Sequence, residues 1–528
     1  MTDPLGVDRR GFLKTAAGAG GAALAAAAIA RNSAAQSAPA GGGEGAATKE
    51  PFVGIQMGPH TMLDEGIEHA LDLTRDTAAV NAVITYSHAY NGDLRKPLTS
   101  LAQDHGGARA AADNRNRNFP LIWVKPHERF YKDTTLRHQV VTPQQEYTDR
   151  DLFAEMVEPA RKRGMKVYAR VLESSAMRPV VANYDKVVTR DINGRSTATA
   201  CWNHPEYIAF WAATAEDLFQ SYDLDGFQFG AERMGPLMNV ICPWNNEPPT
   251  CFCEHCKSRA EAAGIDAERA RKGYEELFNY CQARMAAMPA GRGRGGAAVP
   301  TTKPGEGIFI GFLRIMIRYP EILSWQYQYR LGREALCAEM YKRIKAIKPA
   351  ADVGWHVDHQ PSSWDPIFRA EMSYEEMAPH TDFIKIIAYH SVLGPRIRDW
   401  YLARFQRTIL GELSLESSLS LYYDIFGYNK ATEPSLADLG RKGFTPQYVG
   451  DETRHSVASA GGKVKIYTGV GFDVPGSPAD DPAVIEQAVL KSFEAGASGI
   501  VISREYEEMK VPHLKAVGTA VRGMAGKA

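Results

Sequence analysis

Asp223-Leu-Asp-Gly-Phe-Gln-Phe-Gly-Ala-Glu-Arg233 is the stretch around which the rest of the chain is organised. It begins as a turn, places an apolar residue at every second position through its middle, and ends on Glu232 and Arg233. This pattern predicts a short buried strand that delivers polar groups to a loop. The preceding segment, Pro205 to Tyr222, has its apolar residues on one helical face. A helix, a turn, a strand and a terminal carboxylate form the repeating unit of a parallel α/β fold.

The same unit recurs along the chain. The predicted strands are Phe52–Gln56, Asn81–Tyr86, Met165–Leu172, Gly226–Phe229, Asp352–His356, Asp382–Tyr389, Val464–Thr468 and Gly499–Ser503. Helical stretches lie between them, and a last helix is predicted from Val511 to Met524. Eight strand–helix units predict an α/β fold, a (β/α)8 TIM barrel with long loop insertions at its C-terminal face.

The first thirty-six residues are predicted to lie outside this fold. Arg9-Arg10 precedes an apolar run rich in alanine and glycine, from Thr15 to Ala30, which is typical of a twin-arginine export signal. A transmembrane anchor is the alternative, but the run is short and weakly apolar. We therefore expect a signal peptide at 1–36 that engages the twin-arginine export machinery, a flexible linker at 37–50, and a periplasmic or secreted protein.

Residues 51–528 are expected to form the barrel, with a cysteine-rich loop at about 240–257 and a low-complexity insertion at about 289–307. The whole chain has 528 residues, 44% of them hydrophobic, which is ample for a large core. Its formal net charge of -1 argues against a nucleic-acid-binding surface.

The ends of the predicted strands supply candidate site residues, because barrel enzymes place their chemistry just beyond those ends. The catalytic candidates are the carboxylates Glu173, Glu232, Asp473 and Glu505. The candidates for substrate binding are His88, Trp202, Arg233, His356, Asp358, Tyr389, His390 and Arg504. Each carboxylate has an alternative role as one half of a structural ion pair.

Four cysteines are close together in one loop. Cys242, Cys251, Cys253 and Cys256 have the spacing C-x8-C-x-C-x2-C, which suits one tetrahedral zinc ion. An exported protein can instead pair them as two disulfides, and Cys201 is a further candidate member of the group. Either arrangement would pin a long loop beside Glu232.

Several segments resemble a group of bacterial glycoside-hydrolase-like barrel proteins. The resemblance rests on these segments: Asp191-x-x-Gly194, Cys201-Trp-Asn-His-Pro-Glu206, Asp225-Gly226 through Glu232, Cys251-Phe-Cys-Glu-His-Cys256, and Gly499 through Met509. It implies an acid/base carboxylate after strand four, which fits Glu232, and a glutamate nucleophile after strand seven. Strand seven here leads only to Asp473, which leaves Glu505 and Glu173 open as the second carboxylate.

Three functions remain open at this stage. A glycosidase needs a protonated carboxyl group beside the leaving oxygen and an ionised one across the sugar, and it needs no cofactor beyond a structural zinc. The sequence predicts Glu232 as the acid, with a pKa raised by apolar neighbours, and Asp473 or Glu505 as the partner, kept ionised by Arg504. A divalent-metal sugar isomerase, epimerase or lyase would use Glu173, Glu232 and Glu505 with the His356-Val-Asp-His359 segment. A non-catalytic carbohydrate-binding barrel is the third possibility.

Overall fold

Eight parallel strands close into a barrel in the computed structural model, which describes residues 50–90, 104–107, 117–139, 145–173, 177–231, 233–243, 246–287, 306–357, 365–371 and 373–525. The strands are β1 (Phe52–Met57), β2 (Ala82–Ala89), β3 (Lys166–Glu173), β4 (Gly226–Ala231), β5 (Asp352–His356), β6 (Phe383–Ile387), β7 (Lys465–Gly471) and β8 (Gly499–Ser503). Each strand pairs in parallel with the next one along the chain, and β8 pairs with β1. The predicted fold class is therefore confirmed.

The strand boundaries differ from the prediction where pairing continues past the apolar run. Strand β4 extends to Ala231 because it keeps its register with Glu173 of β3. Strand β2 extends to Ala89 through an irregularity between Tyr86 and His88. Strand β7 extends to Gly471, which pairs with Ser503, although its last residues carry few apolar side chains.

Helices surround the barrel and form most of its long insertions. They are α1 (Pro59–Glu65), α2 (Ile67–Ala78), α3 (Leu152–Lys162), α4 (Pro205–Ser221), α5 (Pro236–Ile241), α6 (Glu254–Ala262), α7 (Ala267–Ala287), α8 (Ile308–Arg318), α9 (Glu321–Ile347), α10 (Pro366–Glu371), α11 (His390–Arg396), α12 (Ala403–Thr408), α13 (Leu415–Phe426), α14 (Leu436–Lys442), α15 (Pro446–Ala460), α16 (Pro482–Glu494) and α17 (Val511–Ala525). A π-helical turn, Ile397–Leu402, joins α11 to α12.

Several helices begin with the same local chemistry. A polar residue lies at the N-cap, and a proline follows it at the first helical position, where the missing N–H costs nothing. At the start of α15, the Thr445 side chain accepts a hydrogen bond from the Gln447 N–H. At the start of α16, Asp481 accepts one from the Ala483 N–H. The helix start predicted at Pro205 has the same proline at its first position and agrees with the observed start of α4.

The amino-terminal end of the barrel is filled by aromatic rings. Phe52 stacks on Tyr467 with ring centroids 4.2 Å apart, and Phe383 stacks on the other side of Tyr467 at 4.8 Å. The Tyr168 and Tyr467 hydroxyls both donate to Asp352, at 3.0 and 2.8 Å. This aromatic layer closes one end of the barrel and leaves the carboxyl ends of the strands for chemistry.

Two short antiparallel ribbons lie outside the barrel. One pairs Arg137–His138 with Val181–Ala182, and the other pairs Val188–Arg190 with Ser196–Ala200. Within the described ranges, no helix is long and apolar enough to cross a membrane. The predicted signal at 1–36, nearly all of the linker at 37–50 and most of the insertion at 289–307 lie outside the described residues.

Candidate functional site

A layer of polar side chains lies inside the barrel, directly above the aromatic layer. Gln56, Arg170, Gln228 and Lys385 each occupy a mid-strand position, and each is at most 4% exposed. Arg170 and Lys385 lie two residues beyond rings of the aromatic layer, so strand alternation points them into the same interior. The Gln56 side-chain amide donates to the Gln228 side-chain carbonyl at 2.9 Å. Polar groups at such positions contribute little to packing, which marks this layer as the floor of a site.

Glu505, just after β8, lies over this floor. Its Oε1 accepts a hydrogen bond from the Tyr86 hydroxyl at 2.8 Å and lies 3.6 Å from the Arg170 guanidinium, which itself lies over the Tyr86 ring. Its buried Oε2 has no hydrogen-bond partner among the described residues. Burial, with the nearby charge of Glu507, raises the pKa of Glu505 to about 8. The carboxyl therefore keeps a proton at neutral pH, and Oε2 is the free oxygen that can carry it.

Glu507 differs from Glu505 although both are buried. Burial alone would raise the pKa of Glu507, but its contacts with His60 and Thr61 lower that pKa below its usual range. The His60 Nε2 lies 3.4 Å from one carboxylate oxygen, and the Thr61 hydroxyl donates to the other at 3.1 Å. Because Glu507 keeps its charge, the proton of this coupled pair resides on Glu505.

Strand β7 presents glycines to the barrel interior, and side chains of β6 and of the residues after it fill the space beside them. Its inward positions Gly469 and Gly471 lie against Lys385 and Tyr389, and the Lys385 ammonium donates to the Tyr389 hydroxyl at 2.6 Å. A Cβ added at Gly469 would lie 2.9 Å from the Lys385 Nζ, and one at Gly471 would lie 2.7 Å from the Tyr389 ring. The end of β7 therefore has no room for the carboxylate that the resemblance implies there.

Asp473, the predicted carboxylate nearest to that end, is engaged with the start of α17. Its Oδ2 accepts hydrogen bonds from the Lys510 N–H at 2.9 Å and from His513 Nδ1 at 2.6 Å. Burial opposes ionisation, but the His513 contact keeps the pKa of Asp473 below its usual range. The side chain is 4% exposed, so the structure gives it a helix-anchoring position instead of the predicted catalytic one.

Glu173 is also displaced from the predicted site. It is fully buried, accepts a hydrogen bond from Tyr207 of α4 and forms an ion pair with Arg233. The inward residues of β3 are Tyr168, Arg170 and Leu172, so alternation turns Glu173 outward, toward α4. Both Glu173 and Arg233, predicted as catalytic and substrate-binding residues, are thus occupied within the barrel wall.

Arg504 does not hold Glu505 ionised, contrary to the predicted role. Its guanidinium contacts Glu508, at 3.0 Å from Nε and 2.6 Å from Nη2. Burial raises the pKa of Glu508 to about 7 in spite of this contact.

Two of the predicted substrate-binding residues lie in packing layers. His88 is 1% exposed, and its ring lies 4.9 Å from His138 and 6.5 Å from Trp211 of α4. Burial lowers the pKa of His88 to about 3, so the ring is neutral. Trp202 is 4% exposed and packs against Tyr329, with the Arg233 guanidinium 5.0 Å from its ring centroid. Neither ring faces the barrel interior.

His356, Tyr389 and His390 have different surroundings. His356 lies at the end of β5, paired in register with Gly230 and Lys385, so it joins the interior site with Tyr389. His390 instead lines a separate cavity of about 460 Å³, where its Nε2 lies 3.5 Å from Asp480. Burial lowers the pKa of His390 to about 4.

The cysteine cluster forms with one member changed. The thiols of Cys201, Cys251, Cys253 and Cys256 all lie within 4.8 Å of one another. Cys242 is elsewhere: it ends α5, and its sulfur contacts the Trp400 carbonyl at 3.5 Å. Cys201 takes the place predicted for Cys242 because residues 190–192 pair with residues 249–252. This pairing brings Cys201 to the loop that carries the other three cysteines. Four thiols at this spacing match the donor set of a tetrahedral zinc site.

Glu232 and Asp358, two predicted site residues, lie outside the described residues, as does His359. The sequence interpretation missed Gln56, Tyr86, Arg170, Gln228 and Lys385. The signal for them was present, because each is a polar or hydroxyl-bearing residue on the inward parity of an otherwise apolar strand.

No family model matches the chain, and no curated protein matches it. Solved structures with a similar fold include a β-galactosidase from the psychrophilic Marinomonas ef1, with 9% identity, 90% of this chain and 59% of that chain covered, and a TM-score of 0.46. The PgaB (BpsB) glycoside hydrolase domain from Bordetella bronchiseptica matches with 11% identity, 90% and 99% coverage, and a TM-score of 0.46. The catalytic domain of β-amylase from Paenibacillus polymyxa matches with 11% identity, 91% and 99% coverage, and a TM-score of 0.45.

This chain spans about three-fifths of the β-galactosidase. The (β/α)8 barrel that the resemblance implies is confirmed by the strand order of the chain itself.

Proposed function

We propose that the protein is a glycoside hydrolase and that Glu505 is its proton donor. The observation that carries the proposal is a buried carboxyl group inside the barrel, with a pKa raised to about 8 and one oxygen without a partner among the described residues. A glycosidase requires such a group, because the leaving oxygen must receive a proton as its bond to the sugar breaks.

The neighbours of Glu505 suit this role. Tyr86 and Arg170 both approach Oε1, so they orient the carboxyl group and leave Oε2 to deliver the proton. After the transfer, the new carboxylate is stabilised by the Arg170 charge and the Tyr86 hydroxyl. Above its pKa of about 8, Glu505 has no proton to deliver, which sets an alkaline limit to turnover.

The second carboxylate is proposed from the sequence to be Glu232, which follows the last residue of β4 in the chain. This exchanges the roles predicted for Glu232 and Glu505, because Glu505 is the group whose surroundings retain the proton. Asp473 and Glu173 are poor candidates, since their oxygens are engaged by α17 and by Arg233.

The metal-dependent isomerase receives less support. Its ligand set requires Glu173 and Glu505 to converge, yet Glu173 contacts α4 and Glu505 contacts the barrel interior. Among the described residues, the cysteines form the one group of ligand atoms close enough to share an ion.

A panel of aryl glycosides tests the proposal, with the Glu505→Gln variant beside the parent. We expect turnover on at least one glycoside, and a loss of about a hundredfold or more in the variant. Glu371→Gln is a matched control, because burial also raises the pKa of Glu371 to about 7 but that residue lies on α10. Equal turnover by the parent and Glu505→Gln would refute the assignment, and sugar binding without turnover would favour a binding protein.

We further propose that Cys201, Cys251, Cys253 and Cys256 bind one structural zinc ion. Metal analysis should find about one zinc ion per chain, lost in Cys201→Ser and kept in Cys242→Ser, since only the former thiol lies in the cluster. Two disulfides found by mass spectrometry would contradict this.

Export is the remaining proposal, supported by Arg9-Arg10 and the apolar run after it. Replacing both arginines by lysine should retain the protein in the cytoplasm, and unchanged delivery would refute it.

A further inference from the structure

Helix α8 carries an apolar stripe that faces solvent. Its members are Phe309, Ile310, Leu313 and Ile317, which are 42%, 49%, 36% and 79% exposed. At about 100° per residue, the four side chains fall within one arc of about 100° on the helix. The other side of α8 is already in use, because Phe312 and Ile315 are buried where it packs on α7. The helix is therefore apolar on two faces, of which the fold covers one.

Leu323 and Tyr327, in the first turns of the next helix, α9, are 51% and 41% exposed. Among the described residues, one other large hydrophobic side chain, Ile425, is exposed to this degree. Taking about 150–250 Å² for a large side chain, the six expose roughly 500 Å². That area is at the upper end for a monomer and supplies the apolar centre of an interface of about 800 Å² per partner.

Three charged residues beside the stripe are paired within the same chain. Arg314 pairs with Glu306, and Arg318 pairs with Glu276 at 2.8 Å. On α9, Glu321 pairs with Arg269 at 2.7 Å. A two-fold interface places a surface against itself, so unpaired like charges would repel across it, and the pairing of these three charges reduces that repulsion. A membrane surface is less suited, because interfacial helices depend on an unneutralised basic face.

The chain's own preceding segment is a poor cover for the stripe. Residues 288–305 contain one methionine and one valine among glycines, prolines, alanines, threonines and basic residues. Such a composition offers little apolar surface to bury.

We propose that the stripe of α8 and the start of α9 form the two-fold interface of a homodimer. Helix α9 has 27 residues and is about 40 Å long. The strand that follows it, β5, has five residues and is much shorter than the helix. The first turns of α9 therefore extend beyond the carboxyl ends of the strands, and the interface lies on the same side of each protomer as the site.

The test is the oligomeric state of the full chain as purified from cells, measured by sedimentation and light scattering over a dilution series. We expect a dimer for the parent and a weakening of about thirtyfold or more in the dissociation constant for Ile317→Glu. Ile425→Glu is the matched control, since it places the same charge at an isolated isoleucine that is 56% exposed. It should remain dimeric.

Circular dichroism should show both variants folded, because neither side chain lies in the core. A monomeric parent, a dimer unaffected by Ile317→Glu, an equal effect of Ile425→Glu, or a parent that forms trimers would each overturn the proposal. Binding of the monomer to phosphatidylcholine–phosphatidylglycerol vesicles, lost in Ile317→Glu, would assign the stripe to a membrane instead.

Discussion

Glu173 is the last residue of β3, and Glu505 lies two residues beyond the end of β8. Both are buried, yet their surroundings give them opposite states. Glu173 points to α4 and meets a buried arginine, Arg233, so it forms an ion pair within the barrel wall. Glu505 points to the interior and lies over a polar floor, where burial and Glu507 favour its protonated form. The difference follows from parity, because successive residues of a strand face opposite sides of the sheet.

This comparison shows that strand-end position alone does not define a catalytic carboxylate. An ion pair in the wall contributes to the shape of the site, whereas a neutral carboxyl group inside the barrel is available for proton transfer.

The largest expected effect is that of Glu505→Gln, which should lower kcat by about 10²–10⁴. In the parent, kcat/KM should fall above about pH 8 as Glu505 loses its proton. The folded pKa lies above the unfolded value of about 4.3, so the stability conferred by this group is lost as the pH rises from about 5 to 8. Glu505→Gln should lack that loss, which urea denaturation at several pH values would measure. A variant equally active and equally pH-dependent would abolish the distinction from Glu173.

Glu173→Gln should act on stability more than on chemistry. It leaves the Arg233 guanidinium buried without its carboxylate, which costs about 3–5 kcal/mol in the free energy of unfolding. Burial lowers the pKa of Arg233 to about 10, so the site disfavours the guanidinium charge. The double variant Glu173→Gln/Arg233→Met should recover part of the loss. A fully stable single variant with no turnover would show instead that Glu173 belongs to the chemistry.

Gly471→Ala should cost about 1–3 kcal/mol, because its Cβ would meet the Tyr389 ring at 2.7 Å. Gly523→Ala is the control, since no atom lies within 4 Å of the added Cβ and the residue is within α17. That change should stabilise the helix by up to about 1 kcal/mol. Thermal unfolding measures both. Equal effects at the two glycines would mean that the interior is looser than its contacts indicate.

The smallest effect is expected for Tyr86→Phe. The Tyr86 hydroxyl lowers the pKa of Glu505, so its loss should raise that pKa and move the alkaline limb of kcat/KM upward by about one pH unit. Tyr90→Phe is the control on the same side of the barrel, because the Tyr90 hydroxyl pairs with His138. A limb that stays in place in Tyr86→Phe would show that another group sets it.

The fold was predictable because its signals are local. Apolar runs located all eight strands, and the helix predicted to start at Pro205 does start there. The site was predicted less well, because the interpretation took the residue after each strand and did not follow parity within it. Parity would have selected Arg170 and Lys385 and set Glu173 aside. The choice of Cys242 over Cys201 had another cause, since proximity in sequence could not reveal the pairing of residues 190–192 with 249–252.

The aromatic layer closes the amino-terminal end of the barrel to the passage of ligands. Phe52, Phe383 and Tyr467 are stacked across the amino-terminal end, and Asp352 ties the tyrosine hydroxyl in place. The barrel interior is thus open at one end only, and a ligand that enters past Glu505 must leave by the same opening. A polymer cannot be threaded through the barrel, and departing fragments occupy the path of the next arrival. For the proposed glycoside hydrolysis, we therefore expect the released sugar to act as a competitive inhibitor that raises KM and leaves kcat unchanged.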